Sequence, residues 1–215
     1  LLCKADLASQ MVVEMTSLQG VMGYYYALHS DEPEAVAAAI REHYLPRSSD
    51  GRVPESKAGL TVGIADRLDS LAGLFAAGLI PTGNKDPFAL RRAALGLVGN
   101  LIAWDLDFDL RTALQTAAEN LPIEANPDSQ TECLTFIVER LRNLFLDEGY
   151  AHDVVAAVVN AQGHNPARAA QAVEQLSQAV QRPDWEKLLD AYARCVRITR
   201  DLDERYDVDP DLFEE

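Results

Sequence analysis

The sequence predicts an all-α fold, and three observations carry that expectation. Apolar residues recur at spacings of three and four along most of the chain, β-branched alternation bounded by turns is nearly absent, and Gly, Pro and capping residues punctuate the helical runs. A first helix is expected over roughly Leu2 to Leu18, and after Gly20 and Gly23 a second carries Tyr24, Tyr25 and Tyr26. Ser30-Asp-Glu-Pro33 supplies a cap and an early-turn proline for a third, which reaches about His43 and stops before Pro46. Arg47 to Ser56 is a polar loop. A long helix follows with the stripe Leu60, Ile64, Leu68, Leu71 and Phe75, ended by Gly78. In Pro81-Thr-Gly-Asn-Lys-Asp-Pro-Phe-Ala-Leu-Arg-Arg92, Asp86 as N-cap and Pro87 at the first helical position start a helix to about Trp104.

Between Asp105 and Asp128 the pattern weakens around acidic residues, Pro122, Pro127 and one short helix near Leu110 to Glu119, so the domain boundary is expected here. Leu134, Ile137, Val138, Leu141 and Phe145 mark a helix ending at Gly149, and Val154, Val155, Val158 and Val159 mark the next. Asn165-Pro166 opens another, and Trp185, Leu188, Tyr192, Val196 and Leu202 define the last. The expected division is a helical domain over 1–104, a linker with a short helix over 105–128, and a second helical region over 129–215. Leu1 and Leu2 start inside an apolar pattern with no cap, and Asp211-Leu-Phe-Glu-Glu215 stops without a terminating signal, which points to an excised piece of a longer protein.

The 215 residues are 48% hydrophobic and 25% charged, enough for a core of ordinary size. No apolar run reaches the roughly 18 to 20 residues of a membrane helix and no leader pattern opens the chain, so no membrane and a cytoplasmic location are expected. Cys3, Cys133 and Cys195 are scattered and lack zinc spacing, which predicts free thiols. The net charge of −15 excludes generic nucleic-acid binding, because affinity for RNA comes largely from neutralising phosphates with Lys and Arg. Any RNA contact must be local.

Of the four histidines only His43 has notable company. The order Arg41-Glu-His43-Tyr-Leu-Pro46, then Asp50-Gly51, then Ile64-Ala-Asp66-Arg-Leu-Asp69 resembles the later part of the HD metal-dependent phosphohydrolase fold, with Asp66 and Asp69 close to one helical face. A working centre of that kind needs an adjacent His-Asp pair and further ligands, because two hydrolytic metal ions require several imidazole and carboxylate donors. The only such dipeptide, His152-Asp153, lies far downstream, and the corresponding early position reads Lys4-Ala5-Asp6. The expectation is an HD-like scaffold without its metal, with Asp6, His43 and Asp66 as the degenerate site. A plainer alternative is that His43 caps a helix C-terminus while Asp66 pairs with a surface Arg.

Serine-nucleophile, phosphate-loop and dinucleotide motifs are absent. Gly83, Lys85 and the amides of the helix after Asp86 could form a local anion site, or simply a well-capped loop, since Asp86 competes with a phosphate. Of Arg91 and Arg92, one is expected to face outward and the other to brace a carboxylate such as Asp66 or Asp69.

Lys4-Ala-Asp-Leu7, Leu18-Gln-Gly-Val-Met-Gly23 with Tyr26-Ala27, Glu42-His-Tyr-Leu-Pro46, Ile64-Ala-Asp-Arg-Leu-Asp69 and above all the block Pro81 to Arg92 resemble, in order and spacing, the bacterial glycyl-tRNA synthetase β subunit. The second half is similar more loosely. Arg140-Leu-Arg-Asn143 with Glu148 to Ala157 looks like the lead into the anticodon-binding region, and Tyr192-Ala-Arg-Cys-Val-Arg-Ile-Thr199 like a helix in which Ala193 replaces an expected Lys. The resemblance implies a heterotetrameric glycine-tRNA ligase whose β subunit binds tRNA-Gly. The α subunit would bind ATP, magnesium and glycine, and this fragment would bind no cofactor or metal and perform no catalysis by itself. Lys85, Arg91, Arg92, Arg194 and Arg197 are the candidate tRNA contacts, with Arg41, Arg47 and Arg52 a further basic group. The competing functions are an HD-type phosphohydrolase acting on nucleotides and a helical protein-interaction domain.

Overall fold

The computed structural model describes residues 2–47 and 51–200. Among them lie ten α-helices and no strand, only one isolated bridge between Thr82 and Lys85. Contacts divide the chain into two units, Leu1–Glu174 and Gln175–Glu215.

The first expected helix is broken into a 3-10 segment (Leu2–Ala8), α1 (Gln10–Glu14) and a 3-10 turn (Thr16–Leu18). Ser9 causes the break, because its hydroxyl donates back to the Asp6 carbonyl while accepting from the Val12 amide as an N-cap. Next come α2 (Val21–His29), α3 (Glu34–Glu42), α4 (Lys57–Ala76) and α5 (Leu90–Ala103). After these lie α6 (Leu110–Glu119), α7 (Pro127–Asp147), α8 (His152–Gln162), α9 (Pro166–Ala179) and α10 (Trp185–Thr199). Leu202, placed in the last helix from sequence, lies outside the described residues, as do Ser48, Ser49 and Asp50.

The central element is α4, which packs against α3, α5, α6 and α7. Its expected stripe Leu60, Ile64, Leu68, Leu71 and Phe75 is buried throughout. Opposite it α5 buries Leu90, Ala94, Leu97, Val98 and Leu101, and α7 buries Cys133, Ile137, Leu141 and Phe145 at successive spacings of four. Burying one such Leu or Phe contributes about 1.5–3 kcal/mol, so this shared core keeps 57–147 together.

The segment 105–128, read from sequence as a linker, lies inside the first unit. Leu110 and Leu114 of α6 are fully buried. Asp107 Oδ1 accepts from Asn165 Nδ2 at 2.6 Å, its other oxygen pairs with Arg168, and Asp105 accepts from Gln171 Nε2 at 2.6 Å. The Leu110 amide donates to the His164 carbonyl at 2.9 Å. The acidic residues that resemble a linker in sequence are thus long-range tethers within the chain to the first turns of α9. In the second unit, α10 has no buried residue, and Leu188, Leu189, Tyr192, Val196 and Ile198 are exposed.

Candidate nucleic-acid interface

The site is built on the turn that leaves α3. Glu42 is buried and its Oε2 accepts from the Ser56 amide at 2.9 Å and the Ser56 hydroxyl at 2.6 Å, which fastens the start of α4 to the end of α3. Gly59 is required there, since a Cβ would lie 2.5 Å from the Glu42 side chain. Arg67 is buried between α4 and α5 and donates to three carbonyls: His43 at 2.8 Å, Gly63 at 2.9 Å and Leu45 at 2.8 Å. Asn100 adds a second donor to the Leu45 carbonyl at 3.0 Å. The run His43 to Pro46 is therefore pinned from beneath by a guanidinium whose pKa burial lowers.

This pinning presents Arg47 outward and leaves Tyr44 half-buried, its ring centroid 3.9 Å from that of His43. Arg47 donates to the Ser17 and Gln19 carbonyls, and its guanidinium carbon stands 5.6 Å from the Tyr44 ring centroid. The Tyr44 ring also carries the Lys4 ammonium 4.2 Å above its centroid, and Lys4 pairs with Asp66 at 2.9 Å. Together these residues, with His43, Arg67, Phe88 and Arg92, line a pocket of ≈ 490 Å³ in which four basic side chains face a single carboxylate. An adjoining groove of ≈ 370 Å³ shares Pro46, Arg47 and Arg92 and adds Arg91 and Arg140, with no acidic residue in its lining. Arg140 stacks on Phe136, its guanidinium carbon 4.6 Å from the ring centroid. On a chain of net charge −15, this is a local concentration of Lys4, Arg47, Arg91, Arg92 and Arg140.

The sequence candidates fare differently. Arg91 and Arg92 join the groove, but Arg91 braces neither Asp66 nor Asp69. Its guanidinium donates to the Gly83 carbonyl at 2.6 Å and lies 4.0 Å from Asp86, while Asp66 is taken by Lys4 and Asp69 is exposed on another face. Helix α5 starts at Leu90 rather than at Pro87, after Ala89 in the left-handed region at φ 55°. Asp86 still caps it, its two oxygens accepting from the Leu90 and Arg91 amides at 2.8 and 2.9 Å. That carboxylate occupies the helix end, so the loop is a capped turn rather than an anion cradle. Lys85 is exposed in this turn and lines neither concavity. Arg194 and Arg197 are exposed on α10 in the second unit, and Arg41 lies over the Tyr24 ring, 4.8 Å from its centroid.

Of the three residues read as a degenerate metal site, the pocket lining holds His43 and Asp66 but not Asp6. Asp6 is buried, and its Oδ2 accepts from the Gly20 and Gly23 amides at 2.6 and 3.1 Å, capping the start of α2. His43 is fully buried, with Nδ1 2.7 Å from the Ile40 carbonyl and Nε2 unpartnered. Burial and the Lys4 charge lower its pKa, against the Ile40 bond and Asp66, which raise it. One imidazole and one carboxylate already bonded to a lysine do not fit a hydrolytic metal centre. Among the described residues no three His, Cys, Asp or Glu side chains converge. Lys4, Tyr44, Phe88 and Arg140 are not marked as site residues by the sequence, because their contribution arises from long-range packing that no local motif encodes.

The family model described as glycyl-tRNA synthetase beta subunit matches residues 1–160. The chain belongs to the glycyl-tRNA synthetase β-subunit family. Its relatives include the glycine-tRNA ligase beta subunit of Moorella thermoacetica, 39% identical over 220 residues that cover 100% of this chain and 32% of the relative. That of Bacillus subtilis is 39% identical over 214 residues, covering 98% of this chain and 30% of the relative. That of Pseudomonas entomophila is 48% identical over 150 residues, covering 69% and 22%. The chain thus spans about a third or less of the β-subunit relatives it matches. No helix among its described residues is long and apolar enough to cross a membrane.

Proposed function

We propose that this chain is a tRNA-contacting part of the β subunit of a bacterial glycine-tRNA ligase, an HD-like helical scaffold without a metal centre. In this reading it works in the cytoplasm with tRNA-Gly and with an α subunit in a heterotetramer. The α subunit binds ATP, magnesium and glycine and makes the adenylate. The carrying observation is the convergence of Arg47, Arg91, Arg92 and Arg140 around one groove next to a pocket that adds Lys4. Guanidinium groups are suited to phosphate because their planar fork donates two parallel hydrogen bonds. The acidic remainder of the chain repels a polyanion, so a duplex backbone is steered to this face in a restricted orientation. Lys85, exposed in the turn before α5, is a separate candidate contact outside the groove and pocket, and Arg194 and Arg197 on α10 belong to the start of the anticodon-binding region.

The test separates tRNA handling from activation in the complete enzyme. Arg92→Ala combined with Arg140→Ala is expected to raise the KM for tRNA-Gly about tenfold or more, while glycine-dependent ATP–pyrophosphate exchange stays at the wild-type rate. Wild-type aminoacylation by the double variant would remove the RNA role of this face. Manganese-dependent phosphatase activity lost on His43→Ala would instead establish the hydrolase alternative.

A further inference from the structure

The groove and the pocket differ in chemistry, and the difference implies two kinds of RNA contact. The groove offers only guanidinium groups and an apolar floor of Pro46, Leu95 and Leu144, which suits backbone phosphates. The adjoining pocket adds an aromatic ring and hydrogen-bonding groups. Phe88 lines this pocket and is 50% exposed, so part of its ring is open to a ligand. It is held outward in the turn that Asp86 and the Gly83 carbonyl contact fix ahead of α5. His43 Nε2 and the Tyr44 hydroxyl are both buried without a hydrogen-bond partner, and both residues line this pocket. Unpaired buried polar atoms are rare and call for a partner. The ≈ 490 Å³ volume falls in the ~300–1,000 Å³ range of small-ligand sites.

From this juxtaposition we infer that the pocket takes one unpaired nucleotide of the bound RNA, rather than a base-paired stretch. The inference rests on the RNA reading of the groove. The nucleotide's phosphate lies against Lys4, Arg47 and Arg92, its base stacks on Phe88, and its polar edge faces the Tyr44 hydroxyl and His43. Arg47 and Arg92 border both concavities, so the phosphate track in the groove runs directly to the nucleotide in the pocket. Single-stranded RNA is recognised by this combination of basic track and aromatic platform, because an unstacked base exposes a face that a duplex hides.

The experiment compares two RNA hairpins on the complete α and β enzyme, one blunt and one ending in a short unpaired 3′ overhang. Wild-type enzyme is expected to prefer the overhang. Phe88→Ala should weaken overhang binding about tenfold, the loss expected for one base–aromatic stack, and leave the blunt hairpin unchanged. Tyr44→Phe, which removes only the hydroxyl, should weaken the overhang a few-fold. Arg92→Ala should weaken both RNAs. If Phe88→Ala and Tyr44→Phe bind both hairpins as wild type does while Arg92→Ala weakens both, the pocket inference fails and the groove reading stands. If Arg92→Ala and Arg140→Ala change neither, the groove reading fails and takes this inference with it. Free AMP is the second probe: it should compete weakly, lacking the neighbouring phosphates. AMP that displaces the overhang RNA as effectively as that RNA itself, with the effect lost in Phe88→Ala, would overturn RNA as the source of the nucleotide.

Discussion

Replacing Arg67 should cost more than the loss of a surface charge, because this one guanidinium ties α4 to the turn that carries Tyr44 and Arg47. It donates to the His43, Gly63 and Leu45 carbonyls at 2.8–2.9 Å. In Arg67→Met the Leu45 carbonyl keeps its Asn100 donor, but the His43 carbonyl loses its guanidinium partner. A buried acceptor left unpaired costs about 1–3 kcal/mol, and hydrogen bonds to a charged donor contribute about 1.5–3 kcal/mol each. The lost desolvation penalty of the guanidinium offsets part of this. The expected net loss is about 2–4 kcal/mol, a fall in Tm of about 5–15 °C for a chain of this size. Arg67→Lys should do no better, since an ammonium on a single stem cannot span three carbonyls and stays buried and underbonded. Gly96→Ala attacks the same point from the other wall, because its Cβ would meet Arg67 Nε at 2.9 Å. Urea titration followed by far-UV circular dichroism measures all three. A wild-type midpoint for Arg67→Lys, or a loss under about 0.5 kcal/mol for Arg67→Met, would refute the three-carbonyl anchor.

Two further expectations follow from buried titratable groups. His43 has a pKa below the ordinary imidazole value of about 6.5, chiefly through burial. The unfolded state therefore binds more protons below that value, so stability should be fullest above pH 6.5 and fall as the pH drops. His43→Phe, which keeps a ring against Tyr44, should flatten this dependence between pH 7 and pH 5 relative to wild type, and identical slopes would show that His43 is not the responsible group. Cys133 is buried and its thiol is pushed up to about 12 by desolvation, whereas Cys195 is exposed. A thiol reagent at pH 8 should label Cys195 promptly and Cys133 only after unfolding, because the thiolate is the reactive form. Equal labelling rates in the native protein would contradict the packing of α7.

The all-α fold was legible because its signals are local. The α4 stripe, the valines of α8, and the Asn165-Pro166 start of α9 each follow from spacing and cap chemistry within one element. Errors arose where a side chain acts at a distance. The Asp6 carboxylate beside the broken first helix accepts from the amides of residues 20 and 23, and Asp86 caps α5 across a left-handed Ala89. Asp105 and Asp107 looked like a linker because their partners, Gln171, Asn165 and Arg168, lie about sixty residues away. The site was half visible: the Arg91-Arg92 pair stood out, but Lys4, Arg47 and Arg140 gather beside it only through packing among α3, α4, α5 and α7. Of the three residues read as a degenerate metal site, His43 and Asp66 line one pocket, whereas the Asp6 carboxylate serves the N-terminus of α2.

The central claim is that this basic face holds RNA phosphates, and the salt dependence of tRNA-Gly binding to the complete enzyme tests it most directly. Each phosphate contact contributes roughly −0.7 to −0.9 to the slope of log affinity against log salt. Replacing Arg47, Arg92 and Arg140 together by Ala should therefore make the slope shallower by about two to three, with affinity falling most at low salt. An unchanged slope in the triple variant, with the fold intact, would contradict the account.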